Sequence, residues 1–172
     1  MSVEFIVSKL TAFQERLANE SSDVGFSFKV SKPWKFTDRK DEVIPYGENK
    51  GIYLFTSSHD SDSASVSGVD TEIWYLGKSK TAIGGRVWNH MGRITDPDTN
   101  EACNPPFKYH QWTYDGVPKR IQENLSNGEV VIYTIPIDVA SHKIDVTEMV
   151  EKYLLVEYAI NYKRLPVLNN SF

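Results

Sequence analysis

Gly51-Ile52-Tyr53-Leu54-Phe55-Thr56 and Ile73-Trp74-Tyr75-Leu76-Gly77 decide the fold of this 172-residue chain. Both runs are short and rich in aromatic and β-branched residues, the composition of a half-buried strand. Ile52 to Thr56 reads as a strand and Ile73 to Leu76 as its return, so the simplest pairing is an antiparallel hairpin. The connector, SSHDSDSASVSG at 57–68, is polar, serine-rich and without periodicity, and reads as a long mobile loop. Gly51 and Gly77 read as backbone geometry or close approach.

Outward from this hairpin, residues 3–19 carry Ile6, Leu10, Phe13 and Leu17 at helical spacing, an amphipathic helix docked on the core. Phe26, Phe28 and Val30 alternate with polar residues as a half-buried strand does. Lys32-Pro33-Trp34 and Pro45-Tyr46-Gly47 read as loop punctuation. Residues 81–91 read as a helix weakened by Gly84-Gly85, and Pro118 to Ser126 as a short one. Val130 to Ile135 is a strong β-branched run. Asp145-Val146-Thr147-Glu148 resembles a capping box opening a helix to about Lys163, ended by Pro166. The expected class is α+β, a small antiparallel sheet flanked by helices.

Hydrophobic residues at 40% and charged residues at 24% allow a packed core. The single cysteine, Cys103, excludes an intrachain disulfide and points to a reducing, cytoplasmic setting. The first residues carry no basic leader, and no apolar run reaches the roughly 18 residues of a membrane span. A net charge of −4 argues against a non-specific nucleic-acid coat, yet a local basic cleft is compatible with it.

Arg86 and His90 stand four apart, so they project from one helix face. A guanidinium offers a planar fork to a phosphate, and an imidazole moves protons near neutral pH. Alone, the pair also fits a solvated face. Glu157 falls mid-face among Val150, Tyr153, Leu154 and Ile160, where a carboxylate is paired, protonated or metal-bound. Tyr53 and Tyr75 fit a core as well as a site, and Asn169 fits a local turn as well as a brace. Phe107, Lys108, Tyr109, His110, Trp112, Tyr114, Lys119 and Arg120 interleave bases with aromatics, as a nucleic-acid contact or a core cover does.

The order of these residues matters more than any one of them. Arg86 follows Gly77 by nine residues, His90 follows Arg86 by four, and Asn169 follows Glu157 by twelve within a Pro166-Val167-Leu168-Asn169 ending. This ordered set resembles the GIY-YIG nuclease family over residues 51–170. The resemblance implies a three-stranded antiparallel core at 51–172, with residues 1–50 as an extension packed on it. It implies an endonuclease that hydrolyses phosphodiester bonds with one Mg²⁺ or Mn²⁺ held by Glu157. Tyr53 would position or activate water with His90 and Tyr75, Arg86 would stabilise the phosphate, and Asn169 would buttress the site. Lys78 follows Gly77 as a lysine often does in the family; with Lys80, Arg93 and Lys108 it forms the expected nucleic-acid contact. DNA is favoured over RNA as partner, with a homodimer or a partner protein supplying specificity.

The chain departs from the family pattern twice. The gap between the tyrosine motifs is about twice the usual one, and the stretch from His90 to Glu157 is long, which defines insertions at 57–72 and 92–117. A binding module that kept the fold and lost catalysis, or a ribonuclease, is the rival reading.

Overall fold

The computed structural model describes residues 3–20, 24–35, 44–57, 73–91, 119, 121, 124, 130–139 and 146–169. Its elements are α1 (Val3–Glu20), β1 (Phe26–Phe28), β2 (Trp34–Lys35), β3 (Gly51–Ser57), β4 (Ile73–Ser79), α2 (Ile83–Met91), β5 (Val130–Val139) and α3 (Val146–Tyr162). The mixed α+β class expected from the sequence is present. Lys119, Ile121 and Asn124 are helical, inside the stretch expected as a short helix. The serine-rich loop beyond Ser57 and the aromatic segment 107–118 lie outside the described residues, as do Arg93 and Lys108.

The sheet is antiparallel and five-stranded, in the order β1-β5-β3-β4, with β2 also on β5. β3 pairs with β4 as the hairpin reading requires, and its other edge takes β5, with Tyr53 opposite Thr134. Three of the strands, β3, β4 and β5, fall within the expected core at 51–172, and the N-terminal extension adds β1 and β2 to make five. The reason lies in the length of β5, ten residues of mostly β-branched sequence. Its outer edge has room for more backbone than one neighbour supplies, and an open edge is a liability. Residues 26–35 run along it: Phe28 pairs with Ile137 and Trp34 with Ile132. Between them Ser31 N donates to Thr134 O, and Thr134 N to Ser31 Oγ, both at 3.0 Å. Pro33 has no N–H to give, which explains why this is two short strands rather than one.

Each face of the sheet buries a different set. Ile52, Leu54, Leu76, Ile135 and Ile137 pack with Ile6, Leu10 and Phe13 of α1 and Val150, Leu154 and Tyr158 of α3. Phe13 stacks on Tyr153 of α3, centroids 4.3 Å apart. So α1 and β1 share one core with the central strands. The opposite face gathers Tyr53, Phe55, Trp74, Ile132, Trp34 and Leu168 with Ile83 and Val87 of α2. Alternation along β3 makes this division. On β4 it is broken by a bulge: Phe55 faces Tyr75, but Thr56 faces Ile73, leaving Trp74 as the extra residue. Trp74 and Tyr75 thereby reach the same core.

The start of α2 is held by the turn before β3. Ile83 N donates to Asn49 O and Gly84 N to Gly47 O, both at 2.8 Å, which satisfies two of the helix's orphan donors. A Cβ on Gly84 would lie 3.1 Å from Gly47 Cα. The residue that weakens the helix in isolation is what lets the turn approach it. At the other end of the chain, Lys163 takes a left-handed φ of 57° and closes α3 with a bond from its N–H to Ala159 O.

Candidate functional site

Two strands and one helix bring Tyr53, Tyr75 and His90 together. The Tyr53 hydroxyl lies 2.8 Å from His90 Nε2, and both side chains are buried. Ring centroids are 5.8 Å apart for Tyr53 and Tyr75, and 5.2 Å for Tyr75 and His90. Phe55 meets the imidazole edge-on at 5.8 Å and 87°, closing the cluster from the β3 side. Tyr75 lies directly opposite Phe55 in the unbroken register that begins at Gly51 and Ser79, and the bulge at Trp74 comes only after that pair.

Gly77 is the floor. A Cβ there would lie 2.5 Å from Tyr75 Cε1, 2.6 Å from Tyr53 Cζ and 2.7 Å from the Tyr53 hydroxyl. Real Cβ contacts are longer, so the tyrosines occupy the space a side chain would need. Gly51 answers to a separate constraint: a Cβ on it would collide with the Ile135 carbonyl oxygen.

Burial pushes the Tyr53 phenol well above its usual range, and the adjoining Tyr75 adds to this; the Arg86 cation opposes it. Burial also raises Tyr75, but the neighbouring Tyr53 hydroxyl and Arg86 lower it, while Glu151 raises it. Arg86 is exposed and His90 is 3% exposed, so the i, i+4 pair runs from rim to interior. The charge at the rim is positive, and the proton-accepting groups lie beneath it.

Asn169 fastens the far edge of β4. Its Oδ1 accepts from Leu76 N at 2.9 Å, and its Nδ2 donates to Leu76 O at 2.8 Å. Leu168 N donates to Trp74 O at 2.8 Å, so the residues after Pro166 continue the sheet's bonding pattern. Leu76 lies between Tyr75 and Gly77, which makes this a direct hold on the strand that carries the cluster.

Glu157 is not brought to these residues. Its Oε2 pairs with Lys9 Nζ of α1 at 2.6 Å. That is on the side of the sheet covered by α1 and α3, whereas Tyr53 and His90 lie with α2 on the other. The carboxylate whose field reaches both phenols is Glu151. At about 100° per residue, Glu151 and Glu157 are separated by roughly 120° around α3. That spacing was readable in the sequence, and it argues that one helix cannot aim both at one point. A single cation shared by Glu157 and the phenols does not fit this arrangement.

Lys78 and Lys80 are likewise engaged. Lys78 Nζ is 2.5 Å from Glu151 Oε2 and 3.7 Å from Glu148 Oε1, and Lys80 Nζ is 2.5 Å from Glu148 Oε2. Lys80 and then Lys78 hold the Glu148 carboxyl down at about 2. The sequence reading took Glu148 only as part of a capping box and did not single out Glu151; the signal for the pair was their i, i+3 spacing in the first turns of α3.

Among the described residues no helix is long and apolar enough to cross a membrane. No family model, no curated protein and no solved structure matches this chain.

Proposed function

We propose that this protein hydrolyses phosphodiester bonds, as an endonuclease acting on DNA. The observation that carries the reading is the 2.8 Å contact between Tyr53 of the Gly-Ile-Tyr strand and His90 of α2, with Tyr75 beside them. A buried phenol–imidazole pair beneath an exposed arginine is suited to moving a proton next to an anion. Arg86 can take a phosphate oxygen with its fork of donors. The phenols can hold a water for attack, and His90 can accept its proton. Asn169 and Gly77 keep the phenols in register with one another. A divalent cation, where one is used, would supply charge neutralisation on the phosphate.

The test is cleavage of plasmid and single-stranded DNA, and of RNA, by the purified chain at millimolar Mg²⁺ or Mn²⁺. Cleavage abolished by Arg86→Ala supports the reading, and preference between DNA and RNA fixes the substrate. One observation favours the rival, a binding module without catalysis: Glu157 is tied to Lys9 on the other side of the sheet. DNA retention in a gel shift with no cleavage under any of these conditions would select that rival.

A further inference from the structure

We propose that the solvent side of α2 holds an unpaired nucleotide, with the indole of Trp88 stacked on its base, so that the substrate is single-stranded DNA or a duplex with an unpaired stretch. This names the substrate class of the hydrolase reading above and rests on that reading.

Among the described residues only two aromatic side chains are exposed, Trp88 at 53% and Tyr46 at 38%. Trp88 is on α2, and Tyr46 is in the turn whose Gly47 and Asn49 carbonyls accept from the first N–H groups of that helix. The other large apolar side chains of α2 behave differently: Ile83 and Val87 are fully buried. The exposed aromatic surface is therefore gathered on the one helix that also carries Arg86.

The surroundings of the indole suit a strand of nucleic acid. At about 100° per residue, Ile83, Val87 and His90 share one side of α2, and Arg86 flanks it. Trp88 lies roughly 160° from Arg86 across the solvent side. Gly85 and Asn89 stand between them, both exposed. The helix carries no Asp or Glu, although the chain has a net charge of −4. A strand with one phosphate on Arg86 thus crosses a helix face without carboxylates before it reaches the indole. Cation and ring together are the pair of contacts that hold single strands.

Gly85 points the same way independently. Gly84 has a packing reason, since a Cβ on it would lie 3.1 Å from Gly47 Cα. Gly85 has none: a Cβ there would meet nothing within 4 Å. Glycine at an exposed helical position destabilises the helix relative to alanine. What its missing side chain gives is close approach to the helix backbone from solvent, between the guanidinium and the indole. Stacking then selects the substrate. A base inside a duplex has both faces covered by its neighbours, so the indole takes a base that has left the stack.

The experiment measures binding of a labelled single-stranded oligonucleotide and of a blunt duplex of the same sequence, without divalent cation so that cleavage plays no part. Trp88→Ala should weaken the single strand about tenfold or more, the scale of one lost base–aromatic stack, and Trp88→Phe should recover most of it. The duplex should change by less than about twofold. Gly85→Ala should raise Tm through helix propensity and still weaken the single strand, a combination that a purely structural glycine does not give. Single-strand affinity within about twofold of wild type in Trp88→Ala, or an equal loss on both oligonucleotides, overturns the proposal. So does a wild type that binds neither. The second arm adds Mg²⁺ or Mn²⁺. Cleavage that ignores Trp88→Ala overturns the stack and leaves the hydrolase reading standing. Binding that depends on Trp88 with no cleavage upholds the stack and removes the hydrolase reading.

Discussion

The side-chain amide of Asn169 binds both backbone polar groups of Leu76, accepting from its N–H at 2.9 Å and donating to its C=O at 2.8 Å. An amide does here what a neighbouring strand would do, at an edge where the described residues supply none. Asn169→Ala leaves both groups without these partners and should cost about 1–3 kcal/mol. Asn169→Asp is the sharper probe. Its carboxylate still accepts from Leu76 N–H but faces the Leu76 carbonyl, so the protonated form is favoured in the fold. A folded-state pKa raised in this way gives stability at low pH that is lost as pH rises. The aspartate variant should therefore approach wild-type Tm at about pH 4 and fall below it at pH 7. A deficit that does not change with pH would show that the donor to Leu76 O contributes nothing.

Gly77 makes a second prediction. Its missing side chain is the space occupied by the edges of Tyr53 and Tyr75. Gly77→Ala should cost about 1–3 kcal/mol through overpacking, and should break the Tyr53–His90 bond before it unfolds the sheet. Denaturant melts give the first effect, and the His90 NMR signal gives the second. Because the clash is with the rings, Gly77→Ala combined with Tyr75→Ala should cost less than the sum of the two. Additive losses would place the strain elsewhere.

How far the sequence reached is clearest from these same residues. The hairpin, α1, α3 and the β5 run were legible because periodicity and β-branching report burial directly. The pairing of residues 26–35 with β5 was not legible, since Pro33 breaks the run and strand partners depend on distant register. The approach of Tyr53, Tyr75 and His90 followed from the motif order, but the bulge that turns Trp74 into the same core as Tyr75 has no local signal. The partner of Glu157 was not legible for a physical reason. The mid-face position of Glu157 left the carboxylate paired, protonated or metal-bound, and nothing local names Lys9 of a distant helix as its partner.

The Lys78–Glu148–Lys80 group predicts a pH dependence. Its Glu148 carboxyl is depressed from 4.5 to about 2. A depressed carboxylate contributes stability above its unfolded value and loses it as pH falls through the folded one. Glu148→Gln should therefore lower Tm at pH 7 and make no difference at about pH 2, with the two melting curves converging between those limits. High salt should shrink the pH 7 difference, because the group is partly exposed and therefore screened. A deficit as large at the acid end as at neutrality would mean the substitution acts through packing rather than charge.

Lys9 and Glu157 give the last prediction, and it separates the geometry from the resemblance. Their ion pair links α1 to α3, and Tyr153 beside it is raised by burial and then by the Glu157 charge. In this arrangement Glu157 serves the helix pair, and the phenol cluster does not depend on it. Glu157→Gln and Lys9→Met should then each lower Tm slightly, the double variant should lose little more than either one, and cleavage should persist in all three. A metal ligand behaves otherwise: Glu157→Gln would abolish cleavage while Lys9→Met left it intact. The pair of substitutions, assayed for Tm and for cleavage on one substrate, decides between the two. Loss of cleavage in Glu157→Gln alone would show that the working enzyme releases Glu157 from Lys9 and turns it to the substrate side.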